Sequence, residues 1–389
     1  MQIVVVANSY PAERRPASEP SYTAIAQELA RRGHGVTAVT CAEPGRAGRE
    51  EISGVRVVRT LVRVDAAETS AATIARACRA LRQEIRGRER VVVLFADAGD
   101  LPAALLSVPS RGALWVDLGY DWPLTGFAVS HPWWTNALAL RGMARLTAKA
   151  LGAAIDPPDV QEAAFVVWNE ARWKELLVRG LPVQSAHVLR PGVDTRLFAY
   201  RPPETGDGEI RLQYQGPLRR DGGLNAVFLG LQRLPARVRL RIVAESTEAS
   251  YLAELGELGR AADVMDRVDV MPAVAEAQRL ALLREAHVFV HSRETAEEFP
   301  RHALEAAAAG VPVVAARVHG EDRAAWIWGS GAVSDFPAGD PRLLAARVEE
   351  ILSQPDAAAE RTRAARRIVE SRFGVSYAAD QLEPLLGGA

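Results

Sequence analysis

Short runs of Val, Ile and Leu, each closed by turn residues, alternate along this chain with Ala-, Leu- and Arg-rich segments of helical period. Runs that are apolar on both faces suit parallel strands buried between layers of helix. The alternation occurs twice. Strands are expected in the first half at Gln2 to Ala7, Val36 to Thr40, Val55 to Arg59, Val91 to Phe95, Ala113 to Val116 and Ala164 to Val167. In the second they are expected at Arg211 to Gln215, Val238 to Val243, Val268 to Val270, Val288 to His291 and Val311 to Ala315. At 389 residues the chain exceeds one ordinary core and suits two α/β domains with a cleft between them. The stretch Arg201 to Glu209, rich in Pro, Gly and acid, reads as the linker. The expected divisions are residues 1–200, 201–370 and a C-terminal crossover helix at 371–389.

The charge balance narrows the function. Lys plus Arg total 47 and Asp plus Glu 48, so there is no global positive field to hold nucleic acid. Lys149 and Lys174 are the only lysines, which excludes any mechanism that needs a lysine in the second half. Cys41 and Cys78 lack metal-ligand or redox spacing and read as small buried apolar residues of a reducing cytosol. The opening run reaches a loop by Asn8 with no basic leader, and no apolar stretch is long enough for a bilayer, so a cytoplasmic protein without stable membrane insertion is expected. The basic segment Arg76 to Arg90 reads as a solvated arginine face rather than a membrane-binding one.

Three stretches carry more specific information. Leu29-Ala-Arg-Arg-Gly33-His34-Gly-Val36 reads as a helix-to-strand turn in which Gly33 supplies the positive φ of a C-cap. Val188-Leu-Arg-Pro-Gly-Val-Asp194-Thr-Arg-Leu-Phe198 follows, with Asp194 expected to form a local turn and Phe198 to pack down. The third is Ser292-Arg-Glu-Thr-Ala-Glu297-Glu-Phe299-Pro300-Arg301-His-Ala-Leu304-Glu305, running on to Gly310-Val-Pro-Val-Val-Ala315. A loop feeding a helix N-terminus offers backbone N–H groups and a positive dipole end to a diphosphate. A carboxylate further along the same face can accept both ribose hydroxyls. The other reading of such acids is capping and dipole compensation alone.

In this order and spacing the stretches resemble the retaining GT-B enzymes of glycosyltransferase family 4, over nearly the whole chain. The resemblance implies an α/β fold of two Rossmann-like domains with parallel sheets facing a cleft. It assigns Glu305 to the donor ribose and places Glu297 near the transferred sugar, with Phe299, Pro300 and Leu304 around the donor. The family's last helix crosses back to the first domain, and Ala365 to Leu382 is similar to that tail.

The chain departs from the family in the diphosphate clamp. Where the family has Arg and Lys after the first strand of the second domain, Pro217 and Gly222 stand here. Arg219, Arg220 and Arg301 are the available replacements, and the Gly222-Gly223 pair offers backbone N–H groups. Solvated loop arginines are the competing reading. Gly119 falls where the family has a His beside the sugar, leaving Asp117, Tyr120 or Asp121 to point inward. Asp121 is taken as a catalytic candidate beside Glu297 and Arg301. Ser18, Tyr120, Trp122, His131 and Trp133 are taken as acceptor contacts, since aromatic faces suit rings; Ser18 and Ser21 also serve as helix caps.

The function these expectations describe is transfer of a sugar from a nucleoside diphosphate, UDP or GDP by the resemblance, to a small polar acceptor such as a secondary-metabolite precursor. No metal and no further cofactor is expected, and a homodimer is compatible with this reading. A degenerate GT-B protein that binds nucleotide or sugar for a partner enzyme, and a sugar-nucleotide epimerase, are the alternatives.

Overall fold

The computed structural model describes residues 1–7, 22–41, 47–61, 91–95, 114–117, 164–167, 186–189, 192–202, 208–295, 299–318, 327–329 and 331–388, with the single positions 10, 45 and 83. These divide into two compact units. The first takes its described residues from Met1–Ala12, Pro20–Gly192 and Ala378–Ala389, the second from Val193–Tyr377.

In the first unit, β1 (Gln2–Ala7), β2 (Gly35–Cys41), β4 (Val55–Leu61) and β5 (Val91–Phe95) run parallel, and β3 (Arg49–Ile52) lies antiparallel on β4 at the edge. The sheet order is β3-β4-β2-β1-β5. A separate parallel sheet joins β6 (Leu114–Asp117), β7 (Ala164–Val167) and β8 (Ala186–Val188). Helix α1 (Tyr22–Arg31) stops at Gly33, whose φ of 90° lets its N–H reach Ala30 O at 2.9 Å while His34 N–H reaches Leu29 O at 3.1 Å. That is the expected C-cap, satisfying carbonyls the helix leaves open. Ile3, Val5, Ile25, Leu29, Val36 and Val57 form the core with Ala378, Ala379, Leu382 and Leu386 from the C-terminal helix.

The second unit holds one parallel sheet of six strands: β9 (Ile210–Leu218), β10 (Val238–Thr247), β11 (Val268–Met271), β12 (Val288–His291), β13 (Val313–Arg317) and β14 (Ser334–Pro337). Its order is β11-β10-β9-β12-β13-β14. The chain starts in the middle, builds outward on one side, and returns to build outward on the other. The order therefore reverses between β9 and β12, and in doubly wound sheets ligands sit outside the carboxyl ends at that point.

Helices α2 (Leu224–Leu231), α3 (Ala249–Ala261) and α6 (Pro341–Ser353) cover one face around Leu212, Tyr214, Phe228 and Leu344. The other face carries α4 (Glu276–Arg284), α5 (Arg301–Ala309) and α7 (Pro355–Ile368), packed around Phe289, Leu304, Val313 and Ala365. The chain closes with α8 (Val375–Gly388). Alanines at 303 and 306–309 are all buried, and such small side chains let α5 lie close against its neighbours.

Phe198 is buried in that core, and Asp194 shapes the turn before it, accepting from Arg196 N–H at 3.1 Å and from its guanidinium at 2.9 Å. Both roles are those expected. Val193 bonds Phe373 O at 2.7 Å and Arg201 bonds Ala309 O at 2.8 Å, so residues before the Pro- and Gly-rich stretch already pack with the second unit.

Candidate functional site

Two loops meet at the switch point. After β9 comes Arg219-Arg220-Asp221-Gly222-Gly223, and after β12 comes Ser292-Arg293-Glu294. Ser292 Oγ donates to Gly222 O at 2.8 Å, and Glu294 N–H donates to Asp221 O at 3.0 Å. Gly223 has φ 69°, and a Cβ there would lie 1.8 Å from Ser292 O. Only glycine permits this approach. The N–H groups of Gly222 and Gly223 are turned onto Arg219 O at 2.9 Å and Arg220 O at 3.4 Å, closing a tight turn.

The loop arginines have acidic partners. Arg219 Nε lies 2.6 Å from Asp221 Oδ1, and Arg220 pairs with Glu254. Asp221 also accepts from Arg293 Nη2 at 2.9 Å. Partial burial works to raise the Asp221 carboxyl, but Arg219 and Arg293 outweigh it and hold it below the ordinary carboxylate range.

Glu305 lies in the second turn of α5, its side chain 2 % exposed. Arg301 Nε donates to its Oε1 at 2.8 Å from one turn earlier. Arg279, arriving from α4, pairs with Oε2 and reaches Oε1 at 3.4 Å. His302 Nδ1 stands 3.4 Å from Oε2, and its Nε2 lies 2.8 Å from Glu245 Oε1 on β10. Burial opposes the Glu305 charge, but Arg301, Arg279 and His302 outweigh it, so the carboxyl stays far below the usual range. Burial likewise opposes charge on His302, yet the carboxylates of Glu245 and Glu305 push its pKa up. The group is a buried carboxylate under a lid of cations, close to the positive end of a helix dipole.

Among the residues expected around the donor, Glu305, Arg301, Pro300 and Phe299 meet at the start of α5. Pro300 is the N-cap, its carbonyl accepting from Leu304 N–H at 3.0 Å, and the Phe299 ring lies 6.2 Å from that of Phe373. Leu304 is fully buried in the core beneath α5. Arg219, Arg220, Gly222 and Gly223 form the neighbouring loop. Glu297, Asp121, Ser18, Tyr120, Trp122, His131 and Trp133 lie outside the described residues. Sequence reasoning missed Arg279, His302, Glu245 and Arg293. The His302-x-x-Glu305 spacing was the one local signal, since residues three apart share a helix face. No helix among the described residues is long and apolar enough to cross a membrane.

Residues 207–368 match the protein-family profile described as "Glycosyl transferases group 1". The chain is 35 % identical over 191 residues to glycogen synthase of Mycobacterium tuberculosis, covering 48 % of this chain and 44 % of that protein. It is 32 % identical over 223 residues to D-inositol 3-phosphate glycosyltransferase of Xylanimonas cellulosilytica, covering 53 % and 52 %. The chain thus spans about half the length of the curated relatives it matches. Anabaena Alr3699/HepE in complex with UDP is similar in structure, at TM-score 0.66 and 16 % identity over 100 % of both chains. Sucrose-phosphate synthase of Thermosynechococcus elongatus is similar at TM-score 0.66 and 16 % identity, over 99 % of this chain and 98 % of that one. These structural likenesses concern the fold, which is of the GT-B kind, with two parallel-sheet α/β units.

Proposed function

We propose that this chain, whose residues 207–368 carry a group 1 glycosyl transferase domain, is a retaining glycosyltransferase of family 4 type using a nucleoside-diphosphate sugar. The observation that carries this reading is Glu305: a buried carboxylate near the N-terminus of α5, which follows β12 at the switch point of a doubly wound sheet. In the reaction, the bond from sugar C1 to the β-phosphate oxygen breaks and an acceptor oxygen bonds C1 on the same face. The acceptor proton passes to the departing phosphate oxygen, leaving a nucleoside diphosphate. Glu305 receives the ribose hydroxyls, and the backbone at the start of α5 faces the diphosphate.

Arg301, the one of the three arginines that stands at the start of α5 beside Glu305, is the favoured replacement for the clamp charges absent at Pro217 and Gly222. Glu297 and Asp121 are assigned to the sugar, and Ser18, Tyr120, Trp122, His131 and Trp133 to a small polar acceptor. UDP or GDP is the nucleotide. The enzymes named above support this class of donor chemistry.

The test is turnover. With UDP-glucose and GDP-mannose as donors and a panel of polyols and aminocyclitols as acceptors, release of nucleoside diphosphate with an α-linked product from the α-linked donor is expected by NMR. Inversion at C1 would refute the retaining assignment. Nucleotide binding without any transfer would favour a second reading, a binding protein that supports a partner enzyme, for which the loss of both clamp charges is the motive.

A further inference from the structure

The Glu305 carboxylate has about four lone-pair positions, and four donor approaches already meet it. Arg301 Nε at 2.8 Å and Arg279 Nη2 at 3.4 Å lie on Oε1, while Arg279 Nη1 and His302 Nδ1 at 3.4 Å lie on Oε2. A ribose diol therefore cannot simply be added; one donor has to give way. Burial decides which. Arg279 and His302 are 11 % and 12 % exposed, whereas Arg301 is 27 % exposed and begins the helix. A ligand reaching a carboxylate this deeply buried comes past the most exposed of its neighbours.

Charge points the same way. Arg279 and His302 both lie on Glu305 independently of Arg301, and His302 also meets Glu245. If Arg301 swings out, Arg279 and His302 stay on the Glu305 carboxylate, so that buried charge keeps its partners. The displaced guanidinium stands at the first residue of α5, at the positive end of the helix dipole, which favours an anion.

Resting on the donor-site reading above, we propose that Arg301 is an exchange residue: ribose hydroxyls displace it from Glu305, and the diphosphate of the same ligand receives it. Base-ribose recognition and phosphate recognition are then coupled through one side chain. A nucleoside alone meets a cost, because it releases Arg301 without supplying an anion. A nucleoside diphosphate offsets that cost at its other end.

The exchange gives Arg301→Leu two opposite effects. Calorimetry on the full chain with UDP and uridine, GDP and guanosine, and ADP and adenosine reads both. For the base that binds, the variant weakens the diphosphate about tenfold or more, the loss of a charge-assisted contact. It tightens the nucleoside about threefold, the release of a part-exposed ion pair. Should Arg301→Leu not fold, Arg301→Gln, of similar length without the charge, is expected to shift both in the same opposite directions. Parallel weakening of both ligands would make Arg301 a positioning residue and overturn the exchange. So would an unchanged nucleoside, a diphosphate that binds as before, or a nucleoside that neither protein binds. If none of the three diphosphates binds the wild type, the donor-site reading itself falls, and the exchange with it.

Discussion

Each unit of this molecule buries a helical glutamate among arginines, and the two sites differ in which end of the sheet they occupy. Glu28 lies near the C-terminus of α1, bonded by Arg31 at 2.6 Å and 2.9 Å and by Arg32 at 3.0 Å. Arg32 continues to Asp380 at 2.7 Å and Glu383 at 3.0 Å, and Glu383 also meets His34 Nε2 at 3.0 Å. Here two arginines serve three carboxylates, at the amino end of β2, and the network ties α1 to the C-terminal helix inside the first unit. Glu305 lies near the opposite helix end, past the carboxyl end of β12, with Arg279, Arg301 and His302 all on the one carboxylate. Both centre on a buried glutamate, though Arg31 and Asp380 of the first are more than half exposed. Only the second stands where a doubly wound sheet receives ligands, with a helix dipole that favours an anion.

This difference predicts that equal chemistry at the two sites has unequal consequences. Glu305→Gln removes the anion beneath Arg279 and His302 and is expected to cost about 3 kcal/mol of stability, read in urea unfolding, and to abolish nucleoside diphosphate binding. Glu28→Gln, with Arg31 more than half exposed, is expected to cost nearer 2 kcal/mol and leave binding alone. If both variants lost binding equally, position in the sheet would not be what separates the sites.

Two glycines sharpen the same contrast. Both have positive φ, but a Cβ at Gly33 meets nothing within 4 Å, whereas one at Gly223 collides with Ser292 O. Gly33→Ala is expected to lower stability by about 1 kcal/mol, the left-handed backbone cost. Gly223→Ala should cost more than about 2 kcal/mol, because it also forces the β9 and β12 loops apart. Thermal unfolding of the two variants, side by side, would show equal losses only if the loop contact contributed nothing.

A pH series adds a smaller effect. His302 meets Glu245 from β10 and Glu305 from α5, and Glu305 in turn carries Arg301 from α5 and Arg279 from α4. Its folded pKa is raised, so it contributes stability that is fully present below the ordinary histidine value and is lost as pH rises through the folded value. The stability gap between wild type and His302→Gln should therefore narrow as pH rises across that window. A gap that widened would place a neutral imidazole there instead. Smallest of all, Arg219→Ala and Arg220→Ala, whose side chains are 45 % and 68 % exposed, should each change stability by under about 0.5 kcal/mol.

Much of the fold could be read from the residues alone. Gln2–Ala7, Val91–Phe95, Ala164–Val167 and Val288–His291 have the bounds expected, because each is an apolar run closed by turn residues. The strands that escaped have no such run, the three-residue Ala186-His-Val188 among them. Arg49-Glu-Glu-Ile52 is a charged antiparallel edge, and Ser334-Asp-Phe-Pro337 is a short edge strand ending in proline. At the site, Glu305 and Arg301 stood out by motif and by departure from it. Arg279 and Glu245 did not, since they lie 26 and 60 residues before Glu305 and meet it through the sheet's crossovers. The acidic partners of Arg219 and Arg220 were hidden for a related reason: Asp221 and Glu254 look like ordinary surface acids until the turn and α3 bring them round.

The most direct measurement is calorimetric titration of UDP, GDP, ADP and TDP into wild type, Glu305→Gln and Glu28→Gln. Selective binding of one nucleotide, lost in Glu305→Gln and kept in Glu28→Gln, is the expected result. Binding that survives in Glu305→Gln would contradict a donor site built on that carboxylate.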